Sequence, residues 1–174
     1  PPLSKSEVKR IAKSIKRYAF VETLTETGNA QRFSCRYRDS AIYVYENKQW
    51  YVAEDGIWIP DKNGLCVGRF QRIASDLKKD AQSQDPKSAN VIERWSKQSL
   101  SKNVIKNSLE LAQYEPGMSA SASDFDKNPM LLAVKNGVLN LESGKLEDHD
   151  LSRLHSKRAN VVFDSRAKCP KFIR

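Results

Sequence analysis

Two glycine dipeptides, Asp55-Gly56 and Asn136-Gly137, constrain this chain more than any other feature, because each sits among short runs rich in β-branched, aromatic and aliphatic residues. Such pairs supply the two successive positive φ angles of a type I′ turn, so each predicts an antiparallel hairpin. Around the first, Ile42 to Tyr45, Trp50 to Ala53 and Ile57 to Pro60 form three runs separated by Asn47-Lys48 and Asp55-Gly56, the pattern of a meander. Around the second, Met130 to Val134 and Val138 to Leu141 are followed by a Ser143-Gly144 turn that leads to Leu146.

Between these β regions the apolar period changes to that of a helix. Val67, Phe70, Ile73, Ala74, Leu77 and Ala81 share one arc, and the run stops near Asp85-Pro86. Ser88 is expected to cap a second helix with Ala89, Ile92, Trp95 and Ser99 inward. Ser101 is expected to cap a third, carrying Ile105, Leu109 and Ala112, before Pro116-Gly117. Strands, then helices, then strands predict an α+β fold.

The flanks complete the picture. Ser4-x-x-Glu7 is a capping box and Leu3 is placed to staple onto Val8, so a helix is predicted at the start, with Val8, Ile11, Ala12, Ile15 and Ala19 on one arc. Lys9, Lys13, Lys16 and Arg17 project from the other. Residues 20–31 read as a polar connection with a tight turn at Gly28-Asn29. From Arg32 onward Phe33, Cys35 and Tyr37 alternate with arginines and serine, which predicts a strand. Ser119 to Ser123 reads as a flexible loop, Asp124 to Pro129 as turn chemistry, and Ala159 to Phe163 as a last strand. The expected architecture is a basic N-terminal helix over 1–20, then an α+β domain over 21–174 built of a small antiparallel meander, a three-helix layer and a C-terminal β-hairpin region. The chain opens on Pro1-Pro2-Leu3 with no initiator methionine and no secretory signal, which predicts a fragment with neighbours.

The net charge of +9, from 30 Lys and Arg against 21 Asp and Glu, is unevenly spread. Residues 1–20 carry +5 and 151–174 carry +6, while 21–64 and 116–150 are acidic at −2 and −3, and 65–115 carry +3. Segregated positive charge suits a polyanion, since Lys and Arg near phosphates release condensed counterions. Solvated basic termini are the plainer alternative. Tyr43, Tyr45, Trp50, Tyr51 and Trp58 form either a base-stacking platform or the core of the small sheet.

No catalytic pattern emerges. A phosphate-binding loop needs two glycines with four residues between them, followed by Lys and Ser or Thr. The nearest string, Gly144-Lys145-Leu146, has Leu139 in place of the first glycine and Leu146 in place of the hydroxyl. Asp124 and Asp126 are better explained by turn hydrogen bonds than by metal binding. Cys35, Cys66 and Cys169 are an odd, widely spaced set that fits a reducing compartment, and neither His149 nor His155 has a cysteine at zinc-ligand spacing, so no metal site is expected. No run reaches the length of a membrane span.

Thr25-Glu26-Thr27-Gly28-Asn29-Ala30-Gln31-Arg32-Phe33 resembles the Gly-Asn-Ala-x-Arg-Phe opening of the domain that precedes the motor in poxvirus-, phage- and plasmid-type primase-helicases. The likeness continues through Trp50 and Asp55-Gly56-x-Trp58 to Phe125-Asp126-x-x-Pro129-x-Leu131-Leu132. It ends with Asn136-Gly137-Val138-Leu139-Asn140-Leu141-x-x-Gly144-x-Leu146 and Ala167-x-Cys169-Pro170. Residues 1–19 look like the end of the primase-associated region in such proteins.

The resemblance implies a primase or primase-polymerase part before this segment and a superfamily-three AAA+ motor after it. ATP and magnesium would serve that motor, with no cofactor in this segment and no catalytic residues carried over. It also implies the cytoplasm of a bacterial host, in a phage or mobile element. The expected role is a connector that links primase to motor, supports ring assembly with other subunits, and contacts single-stranded or forked DNA through its backbone. Candidate DNA residues are Lys9, Lys13, Arg17, Arg32, Arg36, Arg69, Arg72, Lys157 and Arg158, while Gly28, Asn29, Asp55, Gly56, Asn136 and Gly137 are expected as structural turns. The alternatives are a protein-interaction collar without DNA contact and a stand-alone winged-helix regulator.

Overall fold

A computed structural model describes residues 24–82 and 84–167. The expected basic helix, with Lys9, Lys13 and Arg17, and the closing Cys169-Pro170 lie outside the described residues. The first described element corrects the reading of Arg32 onward as a strand: Glu26–Tyr37 is a helix, α1. Thr25 caps it, its Oγ1 accepting from the Gly28 N–H at 3.0 Å, and Glu26 adds a carboxylate to the positive end of the helix dipole. Gly28 and Asn29 are therefore buried helical residues of the first turn, not a tight turn. Phe33, Cys35 and Tyr37 do alternate, but Ala30, Phe33, Ser34 and Tyr37 also fall at i, i+3, i+4 and i+7. That second set faces the core, and Cys35 is exposed.

The meander forms as expected: β1 (Ala41–Val44), β2 (Gln49–Glu54) and β3 (Ile57–Pro60) pair antiparallel, with Tyr43 opposite Trp50 and Val52 opposite Ile59. Asp55 and Gly56 take φ of 48° and 81°, as a type I′ turn requires. A fourth strand, β4 (Ser119–Ala120), pairs parallel to β1 and completes the order β3-β2-β1-β4. The expected flexible loop over Ser119 to Ser123 is thus ordered. Its second half is a 3-10 turn, Ala122–Asp124, closed by a capping box between Ser121 and Asp124. The Glu46 carboxylate holds the turn, accepting from Ser121 Oγ at 2.6 Å and from the Ala122 N–H at 3.0 Å.

Three helices follow: α2 (Leu65–Ala81), α3 (Pro86–Ser99) and α4 (Lys102–Ala112). Asp61 caps α2, one carboxylate oxygen accepting from Leu65 N–H at 2.7 Å and the other from Cys66 N–H at 2.8 Å. The cap of α3 is Asp85 and not Ser88, because Pro86 fits the first helical position and lacks the N–H that would need a partner. Ser88 instead donates to the Asp85 carboxylate. Ser101 occupies the N-cap position of α4, although its side chain makes no capping hydrogen bond. One face of the sheet, through Ala41 and Val52, packs on α1, α2 and α4 in a core that includes Phe33, Phe70, Ile105 and Met118, while α3 meets α2 in a second cluster of Ile92, Leu77 and Ala81. Full burial of Phe33 contributes roughly 1.5–3 kcal/mol.

The second sheet is β5 (Leu131–Val134), β6 (Gly137–Asn140) and β7 (Lys145–Glu147). Its first turn differs from the type I′ expectation at Asn136-Gly137. Val134 pairs with Gly137, so the two-residue loop is Lys135-Asn136, neither with positive φ, and Gly137 opens the returning strand. Glycine is needed there because an added Cβ would lie 2.3 Å from the Glu147 carbonyl oxygen. The Asn136 side chain pairs both ways with Phe163, donating to its carbonyl at 3.0 Å and accepting from its N–H at 2.9 Å. The segment over 159–163 is accordingly not the regular strand expected. It is tethered by that amide and by single backbone bonds, Ala159 N–H to Ala133 O and Lys135 N–H to Val161 O, both 2.9 Å. The same C-terminal region closes the open face of the first sheet, receiving the Trp58 backbone N–H at His155 O and the Trp58 indole N–H at Leu151 O. The architecture is α+β.

Candidate nucleic-acid interface

Strand alternation divides the aromatic residues of the meander into two sets. Tyr51 and Trp58 lie on the face opposite the helices: Tyr51 packs on Phe125 with ring centroids 5.5 Å apart, and Trp58 is 3% exposed. These two are core. Tyr43 and Trp50, opposite each other in the register, lie on the helix side. They belong to a continuous row, Phe33 to Trp50 (5.5 Å), Trp50 to Tyr43 (5.4 Å), Tyr43 to Tyr45 (5.2 Å) and Tyr45 to Tyr114 (6.4 Å). Exposure rises along it from 0% at Phe33 to 42% at Tyr45 and 70% at Tyr114. The aromatics therefore divide into a set packed inside the protein and a row whose far end, at Tyr45 and Tyr114, is open to solvent.

Beside the row runs a cleft of about 720 Å³ between the β1–β2 turn, α2 and α4. Tyr43 and Trp50 form one wall, and Lys48, Lys102 and Lys106 place three ammonium groups at it against the single carboxylate of Glu110. Among the described residues none of these lysines is ion-paired. Lys48 reaches the cleft because its backbone takes a left-handed φ of 50° in the Asn47-Lys48 turn. Tyr45 Oη donates to the Gln113 carbonyl at 3.2 Å, which ties the row to the end of α4.

The arginines singled out from sequence have mixed fates. Arg69 donates to Ser40 O at 2.7 Å and lies over the Tyr37 ring at 5.2 Å, so it joins α2 to the start of the sheet. Arg32 donates to Asn29 Oδ1 at 3.4 Å. Arg36 is ion-paired with Asp76 at 2.5 Å, and that bond, with a second from Lys79, holds the Asp76 carboxyl below its usual range. Arg158 donates to Asp55 O at 2.8 Å at the hairpin turn, and Lys157 next to it is exposed. Arg72 is exposed and lines a hollow of about 620 Å³ with Arg36, Gly68 and Lys79. The structure thus brings Arg36 and Arg72 together. Sequence reading missed Lys48, Lys102, Lys106 and Tyr114; the weak positive excess over 65–115 bears on Lys102 and Lys106 alone, and no signal marked Lys48 or Tyr114.

No group of three or more His, Cys, Asp or Glu that could hold a metal exists among the described residues. Asp124 accepts from Ser121 N–H and from Lys127, and Asp126 accepts from Ser156, so the two carboxylates serve different loops. Burial pushes the Cys66 thiol up to about 12, far from a thiolate nucleophile. Burial likewise holds His155 below its ordinary value, and so neutral. No helix among the described residues is long and apolar enough to cross a membrane.

Fold and site together define an α+β domain whose distinctive surface is a row of aromatic rings edged by unpaired lysines. The chain matches the family described as D5 N terminal like over residues 30–174 and belongs to it, which makes it the N-terminal region of a D5-like primase-helicase, a protein of DNA replication. No curated protein matches the chain.

Proposed function

We propose that this domain is a non-catalytic connector within a primase-helicase: it links the primase part, ending near residue 20, to a superfamily-three motor that uses ATP and magnesium, and it contacts DNA through the phosphate backbone. The observation that carries this reading is the cleft where Lys48, Lys102 and Lys106 outnumber Glu110 beside exposed aromatic rings. Unpaired ammonium groups in such a setting are suited to phosphates, whose condensed counterions they release. Arg72, exposed at a hollow where Arg36 and Lys79 share Asp76, and the exposed Lys157 offer further positive charge for the same partner. Neighbouring ring subunits and the primase and motor parts of the same polypeptide are its proposed protein partners.

The test is fluorescence anisotropy of a labelled forked oligonucleotide as salt is raised. Binding is expected at micromolar protein, with log K falling against log salt by ~0.7 to 0.9 per phosphate neutralised. The double variant Lys102→Glu and Lys106→Glu is expected to flatten that slope by about two contacts. Unchanged anisotropy at low salt overturns the DNA contact. It would favour a collar that touches only protein, which Arg72→Glu would then weaken in light scattering of the motor-containing protein. Arg72 is the informative position because Arg69 is engaged with Ser40 and Tyr37.

A further inference from the structure

We infer that the aromatic row and its lysine cleft form a track for an unpaired DNA strand, taking bases against Tyr45 and Tyr114 and the adjoining phosphates at Lys102, Lys106 and Lys48. The inference rests on the DNA contact proposed above and narrows it to one form of DNA. Tyr114 leaves 70% of its surface and Tyr45 42% in solvent although both are members of a ring row that begins in the core. An exposed aromatic face is of use to a base only if that base is unstacked, which duplex DNA does not offer and a single strand does. A surface made for a protein partner would be expected to deplete lysine at its centre, whereas here three lysines meet at the cleft.

The row is also set in advance. Tyr45 is fixed by its hydrogen bond to Gln113 O at 3.2 Å, and Tyr114 is held one residue beyond that carbonyl by its own N–H bond to Leu111 O at 3.1 Å. The hydrogen-bonded Tyr45 ring loses little conformational freedom when a base stacks on it. With charge complementarity on one side and ring faces on the other, the occupant is a strand of nucleotides whose bases are free.

The test compares three labelled DNAs of about 20 nucleotides, long enough to span the site sizes of known single-strand grooves: a thymidine strand, an abasic strand with the same number of phosphates, and a duplex. The thymidine strand is expected to bind tightest. Tyr114→Ala should weaken it by about fivefold or more, the low end of one base–ring stack, and leave the abasic strand unchanged, while Tyr114→Phe restores binding. Because Tyr114 is largely solvent-exposed, its loss does not threaten the fold. If thymidine and abasic strands bind equally and Tyr114→Ala changes neither, the track is refuted while backbone contact stands. Preference for duplex refutes it as well, and failure of all three DNAs to bind removes both readings.

Discussion

Replacing Asn29 by alanine is expected to cost about 1.5–3.5 kcal/mol of stability without touching DNA affinity. Asn29 is fully buried in α1, and its amide joins that helix to α3. The Nδ2 group donates to Ser99 Oγ at 2.9 Å, at the end of α3, and Oδ1 accepts from the Trp95 indole at 3.3 Å and from Arg32 at 3.4 Å. Alanine removes all three bonds and leaves the Trp95 N–H and the fully buried Ser99 hydroxyl short of partners, at ~1–3 kcal/mol per buried group. Better helix propensity returns ~0.5 kcal/mol. At ~2–4 °C per kcal/mol for a domain of this size, the thermal midpoint should fall by ~3–14 °C. Urea unfolding of wild type, Asn29→Ala, Ser99→Ala and the double variant checks the origin, with a coupling of ~1 kcal/mol expected between the two sites. A loss below ~1 kcal/mol, or strict additivity, refutes the network. Reduced DNA binding by the folded variant would mean the motif residue has a role beyond architecture.

Two glycines are expected to respond in opposite directions. At Gly68, in the first turn of α2, an added Cβ meets nothing within 4 Å, so Gly68→Ala should stabilise by ~0.5–1 kcal/mol; Gly137→Ala, driven into the Glu147 carbonyl, should destabilise by ~1–3 kcal/mol. Equal effects in urea titrations would contradict the geometry. Acid should weaken the fold in two stages. Burial keeps the folded-state pKa of His155 below that of the unfolded chain, so its contribution is intact above about pH 6.5 and is lost as pH falls below that value through the folded one. Burial pushes the Asp61 carboxyl up, but the N–H groups of Cys66 and Leu65 outweigh it and leave its pKa lowered, as the Ser121 hydroxyl does for Glu46. Their stabilisation is therefore present above about pH 4.5 and is lost as pH drops through the folded values. Thermal midpoints measured from neutral pH to about pH 3 should show both stages, and Asp61→Asn should flatten the lower one.

What the sequence determined by itself were the elements whose signals are local. Asp55-Gly56 carries its own backbone preference, and the arcs of α2, α3 and α4 repeat often enough to exclude a strand. The ordered motifs likewise sufficed to point to the primase-helicase family. Elsewhere the local signal was compatible with two answers. Phe33, Cys35 and Tyr37 suit a strand, and only packing of Ala30 and Phe33 in the core beside Ile105 and Leu109 selects the helix. Asn136-Gly137 suits a type I′ turn, and the approach of β7 moves the glycine into β6.

The candidate interface belongs wholly to this second kind. Tyr43, Lys48, Lys102, Lys106 and Tyr114 come from three separate stretches, and nothing local marks them as neighbours. Tertiary structure also decided which cations are engaged: Arg69 and Arg36 look as available in sequence as Lys102, yet the fold gives the first to Ser40 and the second to Asp76. Backbone preference and periodicity act over a few residues and survive in the linear order. Which charges find partners, and which rings reach water, follows from distances through space that arise only once the core has closed.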